Sequence, residues 1–231
     1  IPKDSTDRNR TSPFAFTGNK FEFRALGSAD SIACTNMIIN TSVAHVLKEF
    51  ADKLEGSKHF KKDLNKLLIE TIKENKQIIF NGNGYDDAWV EEAARRGLPN
   101  LVSTVDAIPH YTDDKNVEIF EEFKVLTRTE IQSRQDILLE NYSKIINIEA
   151  LTMVDMARKQ IIPAGIEFTK MLAEAMVAKE QVGINCTAEK KLASKASSLT
   201  NSILEATDML DDKLLEVKNC AEGEPTARYY R

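Results

Sequence analysis

The feature that most constrains the fold is the second half of the chain, which contains few residues that interrupt a helix. From Thr127 onward glycine becomes scarce, and runs of Ala, Leu, Glu, Lys and Ile begin. These residue types favour the helical conformation, whereas Gly and Pro mark helix ends. We therefore predict three long helices, over residues 127–160, 163–182 and 187–219, divided at Pro163 and at the GINCT turn.

The last of these predicted helices carries an apolar stripe, because its apolar residues recur at intervals of three, four and seven. Such spacing places side chains on one face of a helix. We expect a bundle or a short antiparallel coiled coil with this stripe in its core, and subunit assembly is the second interpretation of the same face. The stripe consists of Leu192, Leu199, Ile203, Ala206, Leu210, Leu214 and Val217.

The first half of the chain has helices bounded by turn residues. Asp30 or Ser31 is a candidate N-cap for a helix that ends at Gly56, and Ser57 is a candidate N-cap for the next helix. Helical spacing then predicts the buried face of this second helix. That face consists of Leu64, Leu67, Leu68 and Ile72.

Shorter helices are predicted after the turn-rich NGNGYDD segment. An aspartate at 86–87 caps a helix that stops at Gly97, another begins near Ser103, and DDKNVEIFEEFKVL forms a further one. Tyr85 and Trp89 lie beside this turn. They form either a small recognition surface or a satellite core, and the satellite core is the simpler interpretation.

Charge and hydropathy argue against several classes of protein. The net charge of -5 argues against nucleic acid or an anionic membrane as the main partner. No stretch approaches 18 consecutive apolar residues, so the sequence predicts no membrane span. Cys34, Cys186 and Cys220 are dispersed, which is not a disulfide framework and favours the reducing cytoplasm.

The motif KFEFR, residues 20–24, is the best strand candidate because it alternates strictly. Lys20, Glu22 and Arg24 fall on one face, opposite the two phenylalanines. KQIIF at 76–80 is the main other candidate for a strand. A single strand leaves the hydrogen-bonding groups of its backbone unpaired. We therefore expect its partner strands to come from chain beyond this sequence or from another subunit, and we expect residues 1–19 to be an irregular loop.

The charged face of this strand is suited to anions and metals. Guanidinium groups bind phosphate or carboxylate in a bidentate manner, and a carboxylate between two cations can hold a divalent ion that bridges to phosphate oxygens. Residues 1–24 contain five Lys or Arg and three Asp or Glu, a net charge of +2. The alternative interpretation is an exposed strand whose charged side chains pair with one another.

The stretch DRNRTSPFAFTGNKFEFRALGSADS resembles the phosphate- and glutamate-binding segment of glutamine synthetases, in which an Asn-Arg-Ser/Thr motif precedes a basic-x-Glu-x-Arg strand. FNGNGY, RGLPN and MARKQIIPA resemble the type III group in particular. The resemblance implies a C-terminal portion of such a protein, α+β in class and mainly helical. Residues 1–126 would end an antiparallel-sheet catalytic domain, and residues 127–231 would form a long-helix C-terminal bundle.

The resemblance also implies a cytoplasmic ligase that makes L-glutamine from L-glutamate, ammonia and ATP through γ-glutamyl phosphate, with Mg²⁺ or Mn²⁺. Its expected assembly is a homo-oligomeric dodecamer of two hexameric rings. Glu22 would be a metal ligand, and Arg10 would contact phosphate and glutamate. Lys20 replaces an arginine that serves the ATP phosphates, and Arg24 would bind glutamate or stabilise charge on the transferred group. Ala15 stands where many relatives have a second arginine.

Two alternative functions remain open at this point. We expect the isolated chain to lack synthetase activity, because one metal carboxylate cannot build a site for several metal ions. A relative that ligates glutamate to another amine would share the same residues. A non-catalytic helical module for assembly or regulation is a candidate from a different class of function.

Overall fold

The computed structural model describes residues 14–16, 21–24, 27, 30–80, 83–220 and 223–231. Within these ranges the protein is mainly helical, as the sequence predicts, and it contains two short strands. The assignment of residues 1–126 to a catalytic sheet domain stays a prediction.

Helices of very different length follow one another along the described ranges. A 3-10 turn over Lys76–Ile78, a second 3-10 turn over Ile108–Thr112 and a π-helical segment over Ala157–Ile161 accompany them. The α-helices are α1 (Ala33–Leu54), α2 (Phe60–Glu74), α3 (Asp87–Arg95), α4 (Thr104–Ala107), α5 (Asp114–Glu122), α6 (Arg128–Met156), α7 (Ile162–Gln181), α8 (Thr187–Val217) and α9 (Glu224–Tyr229).

The chain divides into two compact units. The first consists of Ile1–Val102 with Thr112–Glu130, and the second consists of Ser103–Tyr111 with Ile131–Arg231. The second unit contains most of α6 together with all of α7, α8 and α9.

Two strands of the first unit form a hairpin. β1 (Phe14–Phe16) pairs antiparallel with β2 (Phe21–Phe23), so that Ala15 lies opposite Glu22. The strand predicted at KFEFR is confirmed. The expectation that its partner lies outside this sequence is wrong, as is the irregular loop at residues 14–16, because Phe-Ala-Phe is itself an alternating segment that can pair with β2.

The rival strand KQIIF is not formed. Lys76–Ile78 is a 3-10 turn that follows the end of α2. The carbonyl oxygens of Gln77 and Ile79 accept hydrogen bonds from Arg96, at 3.3 and 2.8 Å, instead of bonding to a neighbouring strand. The side chain of Arg96 therefore satisfies backbone groups that a sheet would otherwise have to pair.

Local sequence signals set most helix ends in the first unit. Asp86 accepts a hydrogen bond from the N–H of Ala88 at 3.0 Å, so it caps α3 as predicted. Ser31 accepts one from the N–H of Ala33 at 3.2 Å, at the start of α1. Gly56 and Gly97 end their helices with φ of 75° and 73°, a conformation that costs glycine little.

The prediction for the start of α2 is wrong. Ser57 lies before the helix, where its hydroxyl accepts a hydrogen bond from the N–H of His59 and donates one to Asp63. Leu67 is buried as predicted, but Ile72 is 56% exposed. Helical spacing identifies the apolar residues correctly but cannot tell which of them a neighbouring element covers.

The predicted break at Pro163 is also wrong. The helix continues from α6 through the π-helical segment into α7, and Pro163 is the second residue of α7. The N–H of Ile162 donates to the carbonyl oxygen of Ala157, which is an i to i−5 bond and defines a wider turn. This wider turn allows the chain to pass a proline, which lacks an N–H and would clash within a regular α-helix.

In the second unit α7 and α8 pack as an antiparallel hairpin. A Cβ atom added to Gly165 would lie 2.4 Å from Oγ1 of Thr200, so the two backbones approach closely at this point. Ala193 and Thr207 are buried on α8, whereas Leu192 and Leu199 are 50% and 54% exposed. The predicted stripe is therefore wrong in the N-terminal part of α8, because close packing there selects small residues.

The C-terminal part of the stripe is confirmed, since Leu214 and Val217 are buried. A small core elsewhere in this unit joins three helices through Val105 of α4, Leu139 of α6 and Ala227 of α9. No helix in the described ranges has both the length and the hydropathy that crossing a bilayer requires.

Polar contacts hold α9 in place beside this core. The hydroxyl of Tyr230 donates to Asn147 at 2.9 Å, and the guanidinium of Arg231 donates to Asp106 at 2.6 Å. Burial raises the pKa of the Tyr230 phenol, and the nearby Cys220 thiol acts in the same direction.

Candidate functional site

Two of the four predicted site residues lie within the described ranges. Nη2 of Arg24 donates a hydrogen bond to Oε2 of Glu22 at 2.9 Å. Glu22 lies in β2 and Arg24 directly follows the last residue of that strand, so an extended backbone places their side chains on the same face. Arg10 and Lys20 lie outside the described residues, so their predicted roles stay predictions.

The Glu22–Arg24 pair is partly open to solvent. The side chain of Arg24 is 28% exposed and that of Glu22 is 37% exposed. A charged ligand can therefore approach both groups, because neither is enclosed by the fold. The same contact is expected from the alternative interpretation, in which the charged side chains of the strand simply pair with one another.

The described residues offer only part of a metal site. Within them, no group of three or more His, Cys, Asp or Glu is placed to hold an ion. Glu22 supplies one carboxylate, which suits one ligand position of an oxygen-binding ion such as Mg²⁺. The remaining ligands would have to come from outside the described ranges.

A second charged cluster joins α1 to α5 in the first unit. Lys48 donates a hydrogen bond to Glu122, and Nδ1 of His45 lies 3.4 Å from the other oxygen of that carboxylate. The hydrogen bond from Lys48 lowers the pKa of Glu122, and His45 adds to the effect. The His45 ring also packs edge-on against Phe123, with 6.3 Å between ring centroids. His45 is thus packed between Phe123 and the Glu122 carboxylate.

The satellite core is confirmed as a packed cluster for Trp89 but is wrong for Tyr85, which is 80% exposed. Trp89 stacks on Phe80 with 3.9 Å between ring centroids, and the guanidinium of Arg96 lies 5.3 Å from the centre of the Trp89 ring. Glu92 accepts hydrogen bonds from Arg95 at 2.7 Å and from Arg96 at 2.5 Å, and these bonds lower its pKa to about 2. The cluster holds the segment before α3 against that helix.

An apolar groove lies between α6 and α8 in the second unit, with a volume of about 570 Å³. Sequence reasoning missed it, because it treated the apolar residues of α8 as covered by a bundle. Met153 is 62% exposed and Ile148 is also 62% exposed, so the groove is open on the α6 side. Its lining includes Ile148, Thr152 and Met153 of α6 and Ile203, Ala206 and Leu210 of α8.

The helical fold, with a short strand pair near its start, agrees with the family found by comparison. Residues 63–180 match the family described as the glutamine synthetase C-terminal domain. The match covers just over half of the chain, and the chain belongs to this family. The resemblance inferred from its motifs is thereby confirmed.

Individual proteins similar to the chain are also named glutamine synthetases. The chain is 39% identical to a glutamine synthetase of Butyrivibrio fibrisolvens over 99% of its own length. It is 42% identical over 76% of its length to a type-3 glutamine synthetase of Dictyostelium discoideum. It is 38% identical over 78% of its length to a glutamine synthetase of Bacteroides fragilis.

The chain spans only part of each of these relatives. It covers 33% of the Butyrivibrio protein, 24% of the Dictyostelium protein and 25% of the Bacteroides protein. The Butyrivibrio match includes nearly all of the chain and therefore takes in the stretch around Glu22, whereas the family match is confined to residues 63–180.

Proposed function

We propose that this chain is part of an ATP-dependent ligase that joins ammonia to L-glutamate and forms L-glutamine through γ-glutamyl phosphate. The observation that carries the proposal is the pairing of Glu22 with Arg24 on one strand face, in a chain of the glutamine synthetase family. Activity then belongs to the longer protein, because the described residues hold only part of a site.

The proposed reaction has two steps that concentrate negative charge. The γ-carboxylate of glutamate attacks the terminal phosphoryl group of ATP and releases ADP, and ammonia then displaces phosphate from the acyl phosphate with loss of a proton. Catalysis of such a transfer depends on positioning and on neutralising charge. A bound Mg²⁺ or Mn²⁺ ion would supply part of that neutralisation, with Glu22 as one of its ligands.

The basic residues provide the remaining positive charge in this proposal. Arg24 binds the glutamate carboxylate or the transferred phosphoryl group, and its contact with Glu22 holds the guanidinium in one orientation. Arg10 contacts phosphate and glutamate, and Lys20 contacts the ATP phosphates. Lysine acts there as a point charge, since it cannot reproduce the planar fork of a guanidinium.

The test is a Glu22→Gln variant of the full-length protein, which keeps the shape of the side chain and removes its charge. We expect γ-glutamyl hydroxamate formation to fall roughly 100-fold or more and the metal concentration needed for activity to rise. Glu55→Gln, a change at an exposed glutamate after α1, serves as the matched control. Normal turnover and normal metal dependence in Glu22→Gln would rule the proposal out.

The identity of the amine is tested separately. We propose ammonia, and a screen of amines with the full-length protein distinguishes it from a relative that ligates glutamate to a larger amine. The isolated chain should be inactive in the same assay, because the other ligands are missing. Activity of the chain alone would contradict the proposed division of the site.

A second candidate function is a non-catalytic module for assembly, and the exposed apolar residues along α6 and α8 favour it. Surfaces of this kind commonly mark contacts between proteins. We propose a homo-oligomer, with the two-ring dodecamer as the expected form of the longer protein. Light scattering after size-exclusion chromatography measures this directly, and a monomeric full-length protein would contradict it.

A further inference from the structure

The π-helical segment Ala157–Ile161 joins two parts of one continuous helix that pack differently. On its C-terminal side, α7 packs closely on α8, with Gly165 against Thr200 and Leu172 buried. On its N-terminal side, α6 stands away from α8 and leaves the apolar groove between them. The segment therefore lies where a tightly packed helix becomes a loosely packed one.

The backbone at this junction is less constrained than in a regular helix. The bond from Ile162 to Ala157 spans five residues, and Pro163 contributes no N–H to the helix directly afterwards. A helix bends at positions of this kind, because fewer regular i to i−4 bonds hold the two sides in line. The geometry thus provides a bending point at one end of the groove.

One side chain of the segment ties this bending point to the facing helix. Nη1 of Arg158 donates to Asp211 at 2.7 Å, and Nη2 donates to Asp208 at 2.9 Å, so the guanidinium bridges two carboxylates one turn apart on α8. The next residue, Lys159, instead pairs with Asp155 of its own helix. Arg158 therefore contacts α8, whereas the adjacent cation does not.

We propose that the π-helical segment is a hinge and that Arg158 is the latch that sets its angle. With the latch formed, α6 keeps its distance from α8 and the groove stays open. With the latch released, α6 rotates about the hinge, and Met153 approaches Ile203 and Leu210 across the groove. Closure is favourable because it removes apolar surface from water.

The latch is suited to reversible release. The side chain of Arg158 is 44% exposed, and those of Asp208 and Asp211 are 58% and 34% exposed. Ion pairs in contact with solvent are weak individually and are screened by salt. Their loss therefore changes the position of the hinge without unfolding the helices, which are held by the packing of α7 on α8.

The test is hydrogen–deuterium exchange of the chain with Arg158→Gln, using Lys159→Gln as the matched control. In Arg158→Gln the amides of residues 153–165 should exchange about five-fold faster, while those of residues 168–178 keep the wild-type rate. Lys159→Gln should match the wild type throughout. The double variant Asp208→Asn with Asp211→Asn should reproduce Arg158→Gln, because it removes the same latch from the α8 side.

A distance measurement tests closure itself. Spin labels at exposed positions 144 on α6 and 202 on α8, in a chain without its native cysteines, should give a shorter or broader distance distribution in Arg158→Gln. An unchanged distribution together with unchanged exchange would overturn the proposal. Faster exchange spread equally over α7 and α8 would also overturn it, since that marks general destabilisation, as would an equal effect of Lys159→Gln.

Discussion

Replacing Gly165 with alanine tests the close contact between α7 and α8. An alanine Cβ at this position would lie 2.4 Å from Oγ1 of Thr200 and 3.4 Å from both Cβ and Cγ2 of that residue. Rotating the threonine side chain to relieve the clash would break the hydrogen bond that its hydroxyl donates to the carbonyl oxygen of Ala196 at 2.8 Å. The helices must separate, or the side chain must leave its rotamer.

Two effects of opposite sign determine the size of the change. Alanine is favoured over glycine within a helix by about 0.8–1 kcal/mol, whereas overpacking a close contact costs about 1–3 kcal/mol. We therefore expect Gly165→Ala to lower the free energy of unfolding by up to about 2 kcal/mol. In a Thr200→Ala background the clash is absent, and Gly165→Ala should raise the free energy of unfolding by about 0.8–1 kcal/mol.

The measurement is a double-mutant cycle, with urea unfolding followed by far-UV circular dichroism. The coupling energy between positions 165 and 200 should be about 1–3 kcal/mol. Ala173→Gly, at an exposed position of α7, is the control. It should lower the free energy of unfolding equally in both backgrounds, because it changes only helix propensity. If Gly165→Ala stabilises the wild-type and the Thr200→Ala backgrounds equally, the close approach of the two helices is refuted.

Two further predictions concern the packed clusters. Because the pKa of Glu92 is lowered from 4.5 to about 2, its contribution to stability is complete above pH 4.5 and is lost as the pH falls towards 2. Fluorescence of Trp89, the single tryptophan, should report that loss as an acid transition, and the transition should be absent in Glu92→Gln. An identical acid transition in the variant would contradict the reasoning. Ala227→Leu should lower the free energy of unfolding by about 1–3 kcal/mol, because the residue is fully buried against Val105 and Leu139. An unchanged urea midpoint would show that this core can accommodate the added volume.

The helix ends illustrate what could be predicted without a structure. The cap at Asp86 and the stops at Gly56 and Gly97 were predictable because each depends on residues within one turn. Ser57 shows the limit of such signals, because its hydroxyl bonds the N–H of His59 before α2 and the side chain of Asp63 within α2, and it caps no backbone N–H of the helix. The competing partner could not be identified from spacing alone.

The candidate site was predictable only in part. Strict alternation in KFEFR placed Glu22 and Arg24 on one face, and the structure brings their charged groups within 2.9 Å. The pairing of β2 with β1 was missed, because a three-residue strand gives little periodicity to detect. The groove and the Arg158 latch were also missed, since both depend on how far α6 stands from α8.

By itself the sequence determined the helical character of the chain, the position of most helix ends and the family to which the protein belongs. Each of these depends on residue types and on spacing over a few positions. Only the tertiary structure decided that Leu192 and Leu199 remain exposed, that small residues pack between α7 and α8, and that the helix passes Pro163 through a π turn. The physical reason is that burial and helix register depend on the neighbouring element, and no local pattern specifies which neighbour that will be.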